Sequence, residues 1–204
     1  MEREIRILAG SSIEIRSADD KGVRIGGYAA KFGVMSENLG GFREQIQRGA
    51  FADVLGNDVR ALINHDANLV LGRTTSGTLT IAEDENGLSY EVQLPDTQAA
   101  RDLAQSIKRG DVSQSSFAFS IAPGGDDWTE DPETGGYIRT VKKVGRLFDV
   151  SPVTYPAYPD ATIGMRSLDA FKTQRANTEK EQARVAYDLR QKRRRALQLH
   201  QLKS

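Results

Sequence analysis

Up to Tyr155 the chain is dominated by apolar and polar residues that alternate with a period of two, the pattern of half-buried strands rather than of helices. Glu4 to Leu8 and Ser12 to Arg16 are short, alternating and rich in isoleucine. Asp19-Asp20-Lys21-Gly22 predicts a hairpin turn into a further strand from Val23 to Ala30, where Gly26-Gly27 points to a bulge or a close backbone approach. After the Gly40-Gly41 loop, Phe42 to Phe51 is read as a short helix with Phe42, Ile46 and Phe51 inward. Strands resume at Asp58 to Ile63, which delivers Asn64-His65-Asp66 to its end, and at Leu69 to Arg73, Gly77 to Ala82 and Leu88 to Leu94, an antiparallel meander. One helix stands out in this body. Asp96 is its expected cap, Ala99, Leu103 and Ile107 recur at one-turn intervals, and Gly110 is its stop.

The next stretch, Gly110 to Ile121, shows the alternation at its clearest. Ser113, Ser115, Phe117, Phe119 and Ile121 share one face, and Val112, Gln114, Ser116, Ala118 and Ser120 share the other. A whole face of small and hydroxyl side chains fits a closely packed wall or a face with a purpose, and spacing leaves both open. Pro123 to Gly136 reads as a turn-rich insertion, followed by strands at Tyr137 to Val144 and Arg146 to Tyr155. In the last, Leu147, Asp149, Ser151 and Val153 are placed on one face, so Asp149 needs a partner. The fold class is mainly β with helices, α+β.

Charge divides the chain more sharply than hydropathy does. From Arg166 to Ser204 there are eleven Lys/Arg against four Asp/Glu, a balance of +7. The remainder carries seventeen against twenty-four (28 − 11 and 28 − 4), a balance of −7. This predicts a globular domain over 1–165 and a basic helical or flexible tail over 166–204, with Lys192 and Arg193-Arg194-Arg195 as a compact cationic cluster. The apolar stripe of the tail is thin between Lys172 and Gln182, so close packing into the core is not expected. Without cysteine, thiol catalysis, disulfides and cysteine-based metal sites are excluded. No membrane-spanning run or signal peptide is recognised and no cofactor is implied, and the expectation is a soluble intracellular protein.

Chemistry narrows to few residues. His200 lies in the basic tail, which leaves His65 as the candidate general base of the body. A hydroxyl nucleophile needs such a base, and the base needs a third group to fix its tautomer. His65, Ser116 and Asp149 supply one of each, all on or beside predicted strands. Spacing does not show that they meet, and a structural histidine hydrogen-bonded beside Asn64 and Asp66 remains the other reading.

Several segments together resemble the tailed-bacteriophage prohead maturation serine proteases, a family related to the herpesvirus assemblins. They are Gly27-Tyr-Ala-Ala-Lys-Phe32, Arg48-Gly-Ala-Phe51, Leu62-Ile-Asn-His-Asp66 with Leu71-Gly-Arg73, Leu94-Pro-Asp-Thr97, Ser115-Ser-Phe-Ala-Phe119, Leu147-Phe-Asp-Val-Ser151 and Thr154-Tyr-Pro-Ala-Tyr158. The resemblance implies an assemblin-like closed or partly open antiparallel β-barrel flanked by a few helices. By position it implies catalytic His65, Ser116 and Asp149. Ala118 stands where the family usually has glycine, Asp149 where many relatives have glutamate, and Ser115 is the neighbouring alternative nucleophile. Ser116 is preferred because it shares the small-residue face with Ala118. Backbone amides near Pro156-Ala157 or an arginine such as Arg146 are the candidates for an oxyanion hole.

The implied function is a serine endopeptidase that cleaves scaffold or capsid-protein segments, and itself, during prohead maturation inside the procapsid in the host cytoplasm. The major capsid protein or the scaffolding protein is the implied substrate. Self-association is allowed for, and no membrane or specific nucleic acid is expected as partner. The rivals are a non-catalytic β-barrel assembly factor that binds scaffold through its basic tail and, less favoured, a nucleic-acid-binding barrel. An exposed aromatic platform would mark the latter, whereas Phe117 and Phe119 alternate inward.

Overall fold

The period-two pattern becomes strands over most of the body. The structure, a computed structural model, describes residues 2–7, 10–19, 22–155 and 161–201, with side chains described only from 166 to 193 within the last stretch. Two compact units divide the chain, Met1–Met165 and Arg166–Ser204.

The strands of the first unit are β1 (Glu4–Arg6), β2 (Glu14–Asp19), β3 (Gly22–Lys31), β4 (Phe42–Ile46), β5 (Arg60–Ile63), β6 (Asp66–Arg73), β7 (Leu79–Glu83), β8 (Gly87–Gln93), β9 (Gln114–Ile121), β10 (Asp126–Glu130), β11 (Tyr137–Val141) and β12 (Val144–Val153). Helix α1 (Gln98–Arg109) lies between β8 and β9, and α2 (Ala161–Gln201) ends the chain, so the molecule is mainly β with two α-helices. Hydrogen bonding orders the strands as β1-β9-β12-β5-β6, β2-β3-β8-β7 and β10-β11-β4. Among the described residues these three sheets form no closed barrel, and of the closed or partly open barrel implied by the family resemblance the mainly β, α+β class is what is found. Nor is the pairing wholly antiparallel, since β12 runs parallel to β5 and β11 parallel to β4. Hairpins join neighbours in sequence, but these pairs are brought together across long stretches of chain, where either direction is open.

Three local expectations change for identifiable reasons. Phe42 to Ile46 is a strand, not the start of a helix, because Phe42, Glu44 and Ile46 are all buried and define a period of two. An acid at the middle inward position hid that period. Asp126 to Glu130 forms β10 within the turn-rich insertion, paired along its length with β11. Helix α1 is capped by Thr97, whose Oγ1 accepts from the Ala100 amide, while Asp96 pairs with Arg101. Gly110 does end it, in the left-handed conformation with φ of 86°. The hairpin between β2 and β3 pairs Asp19 with Gly22, and Asp20 and Lys21 lie outside the described residues. Gly27 is a close approach, since a Cβ there would meet the Ser12 carbonyl oxygen at 2.0 Å.

Phe117 and Phe119 form the centre of the core, with ring centroids 4.8 Å apart, and Phe51 packs edge-on against Phe117. These rings are fully buried, and none forms an exposed stacking surface. Charges are buried as well. Arg139 of β11 donates to Glu4 at 2.8 and 3.1 Å, to Glu44 at 3.1 Å and to Asp126 at 2.7 Å. Arg6 donates to Glu44 at 2.9 Å and to Glu4 at 2.5 Å. Burial alone would lower the basicity of Arg139, but Glu44, Glu4 and Asp126 outweigh it and hold the guanidinium charged. The second unit is the greater part of α2, whose described side chains are almost all exposed and include the Arg175–Glu179 pair one turn apart. Arg194, Arg195 and His200 lie outside the described side chains. No helix among the described residues is long and apolar enough to cross a membrane.

Candidate active site

His65 stands in a two-residue turn. Asn64 and His65 have φ of 52° and 61° between the paired Ile63 and Asp66, the left-handed geometry that the tightest antiparallel hairpins require. Asparagine and histidine tolerate that region better than most side chains, at a cost of about 1–2 kcal/mol relative to the right-handed form. Asn64 offsets this by fastening the turn to the end of β12. Its amide N–H donates to the Pro152 carbonyl at 3.0 Å, its Oδ1 accepts from the Thr154 amide at 2.9 Å, and its Nδ2 donates to Thr154 Oγ1 at 3.1 Å.

Asp149 owes its direction to a bulge. β12 pairs with β9 so that Leu147 opposes Phe119 and Asp149 opposes Ala118, which leaves Phe148 as the extra residue. Alternation is interrupted there. Leu147 therefore points to the core with Phe119, and Asp149 points to the face of Ala118 and Ser116, instead of sharing one face with Leu147 as expected. Ser151, opposite Ser116, follows Asp149 onto that face.

Ser116, Asp149 and His65 are thus carried by β9, β12 and the β5–β6 turn, with β12 lying between β9 and β5 in one sheet. The three side chains meet. His65 Nδ1 is 2.6 Å from Asp149 Oδ1, and His65 Nε2 is 2.6 Å from Ser116 Oγ. A carboxylate only accepts, so Nδ1 carries the proton and Nε2 is left to accept the hydroxyl proton. Asp149 is 2 % exposed, and burial alone would push its carboxyl up. Hydrogen bonds from His65 and Ser151 and the charges of His65 and Arg3 outweigh burial, and hold it below its ordinary value of 3.8.

The adjacent serine is differently engaged. Ser115 faces the core, donates to the Ser12 carbonyl at 2.8 Å and stands 2.8 Å from the Tyr90 hydroxyl. Its proton is used on the carbonyl, so Tyr90 is the donor to it. Burial pushes the Tyr90 phenol well above its usual range and keeps it neutral, against the smaller effect of the Ser115 hydrogen bond. Arg146 lies over the Phe148 ring at 4.9 Å and is exposed, and Pro156 and Ala157 lie outside the described residues.

Three contributors escaped the sequence reading. Ser151 donates to Asp149 Oδ1 at 2.9 Å, and its spacing two residues beyond the acid was a usable signal. Asn64 acts through the turn, which the Asn-His pair between two strands could have disclosed. Arg3 donates to Asp149 Oδ2 at 2.6 Å from the far end of the chain, with no local signal at all.

A buried carboxylate, an imidazole and a hydroxyl in one hydrogen-bonded line, held on rigid strands, define a site of the serine-hydrolase kind. Residues 11–175 match the caudovirus prohead serine proteases, and the chain belongs to that family. It is a serine protease of phage prohead maturation. Among solved structures it is similar to the bacteriophage T4 capsid assembly protease gp21, with 17% identity, a TM-score of 0.44, and coverage of 76% of this chain and 97% of that one. No curated protein sequence matches.

Proposed function

We propose that Ser116 is the nucleophile, His65 the general base and Asp149 the residue that orients the imidazole, in an endopeptidase that cuts scaffold or capsid-protein segments, and itself, within the prohead. The observation that carries this reading is the unbroken line from Asp149 through His65 to Ser116, with both links at 2.6 Å. Ser116 gives its proton to His65 Nε2 as its oxygen bonds to the scissile carbonyl carbon. His65 then returns that proton to the leaving amine as the peptide C–N bond breaks. Water then gives a proton to His65 as its oxygen bonds to the acyl carbon, and His65 passes that proton to Ser116 Oγ as the ester C–O bond breaks and the acid product leaves. Throughout, Asp149 accepts from Nδ1–H and stabilises the imidazolium without taking the proton.

The tail complements this chemistry. Exposed at almost all of its described side chains and bearing a surplus of basic groups, α2 suits electrostatic attachment to acidic segments of scaffold. Packing many copies into one shell raises the local concentration of protease and substrate. A fluorophosphonate probe tests the site. Ser116→Ala is expected to abolish labelling, and Ser115→Ala is expected to retain it. Labelling that survives loss of Ser116 but not of Ser115 would move the nucleophile, and none in any assembled state would favour a non-catalytic assembly factor.

A further inference from the structure

The strand that carries Ser116 has a neighbour that the reaction does not use. β1 is the edge strand beside β9, paired with it as Glu4↔Phe119, Ile5↔Ala118 and Arg6↔Phe117. With β1 there, Ser116 is 0 % exposed, and its hydroxyl is 3.0 Å from the Arg6 carbonyl oxygen as well as 2.6 Å from His65 Nε2. A hydroxyl has one proton. Donated to the Arg6 carbonyl, it is withheld from His65. The same segment sets the Arg3 guanidinium on Asp149 Oδ2, where it draws on the negative charge that would stabilise an imidazolium. One short stretch therefore touches both the hydroxyl and the carboxylate of the line and leaves no space for a second peptide. The family match starts at residue 11, so this stretch lies outside the matched residues, whereas the β9 edge it covers lies within them.

We infer that the edge of β9 beside Ser116 is the seat of an extended substrate peptide, and that β1 is an internal occupant which must leave before substrate enters. The inference rests on Ser116 as nucleophile. A strand edge supplies main-chain donors and acceptors to any added strand, and the pockets beneath alternate residues supply selection. The side chains of β1 report what those pockets take. Glu4 and Arg6, two positions apart, point to one side, where Glu4 accepts from Arg139 and Arg6 donates to Glu44. Without β1, Arg139 would remain between Glu44 and Asp126, one cation against two carboxylates. The seat therefore suits an extended segment with an acidic and a basic side chain two positions apart, the basic one facing Glu44.

Departure of β1 is physically accessible. Its inward side chains are charges, which regain hydration on leaving, and Ile5 on its other face is only half-buried. Glu44 and Arg139 stay paired with each other at 3.1 Å, so no lone charge is stranded.

The chain lacks cysteine, so one disulfide can pin the occupant in the full-length protein. Ile5 and Ala118 are directly opposed, a spacing within disulfide reach. The double variant Ile5→Cys with Ala118→Cys is expected to label with fluorophosphonate about tenfold or more slower when oxidised than when reduced, since the competent fraction falls. A chain lacking residues 1–7 is expected to label faster than wild type, and a synthetic peptide of residues 2–7 to slow it. A peptide with Glu4→Arg and Arg6→Glu is expected to compete less well. Equal rates in the oxidised and reduced double variant, or no competition by the first peptide, would overturn the seat while leaving Ser116 as nucleophile. If wild type, reduced variant and shortened chain are all folded by circular dichroism and all unlabelled, the nucleophile assignment falls and the seat with it. Should the shortened chain not fold, the oxidised-to-reduced ratio alone decides.

Discussion

Two clusters of buried polar groups lie on opposite sides of β9 and are wired differently. On the core-facing side of β1, Glu4, Arg6, Glu44 and Arg139 meet opposite charges at every end, and no proton there is shared between acceptors. On the other side, Asp149 and His65 align with Ser116, whose single proton has two acceptors, His65 Nε2 and the Arg6 carbonyl. The first arrangement is saturated and the second is not. Saturated pairs contribute to stability with no proton to transfer, and an undecided proton is what a reaction can use. A substitution on the first side should therefore register in stability, and one on the second in rate.

The sharpest separation is expected from Asp149→Asn. With Arg3 holding the amide oxygen in place of Oδ2, the amide NH2 faces His65 Nδ1, the imidazole loses its working tautomer, and cleavage per folded molecule should fall by about 10⁴-fold. Circular dichroism and a thermal melt should show a folded protein, with any loss of stability smaller than that of the next variant. A loss of activity under tenfold would deny Asp149 its orienting role.

Arg139→Met is expected to invert that outcome. It leaves Arg6 alone between Glu4 and Glu44 and removes the ion pair of Asp126, and breaking a buried charge network from one partner costs about 3–5 kcal/mol. Urea unfolding should report it as a lower midpoint. If stability is unchanged, the cluster is not the fastening that its geometry implies.

Asn64→Ala sits between the two. It touches neither Ser116 nor Asp149, yet releases the turn from Thr154. Misplacing a catalytic group by about 1 Å can reduce a rate by about 10²-fold. kcat should fall with little change in KM, and Asn64→Asp, which keeps the acceptor for the Thr154 amide, should recover part of the loss.

The same contrast shows what was legible without coordinates. β9 was, because its two faces differ so completely that parity puts Ser116 and Ser115 on opposite sides. His65 was, as the one histidine of the body. Parity failed wherever a polar residue is inward or a strand is irregular. Glu44 broke the apolar rhythm of β4 and left a helical spacing behind, and the bulge at Phe148 turned Asp149 away from the face assigned by counting. Pairings between distant segments, such as β1 with β9 or β12 with β5, leave no local trace. Arg3 could not be anticipated because its partner lies 146 residues away.

The smallest expected effect concerns acid. Because the folded Asp149 carboxyl is held below 3.8, the folded state favours its ionised form. Its contribution to stability is fully present above that ordinary value and is lost as the pH falls through the lower folded value. Asp58, bonded to Arg73, and Asp131, bonded to Arg43, are lowered too, so the acid limb of a wild-type melt is a composite. The informative quantity is the difference between wild type and Asp149→Asn. Their melting temperatures should converge as the pH is taken below 3.8, because the wild type alone surrenders a carboxylate at this site. Parallel curves would mean that Asp149 titrates alike in the folded and unfolded chain. In that case its contacts with His65, Ser151 and Arg3 do no more than offset its burial.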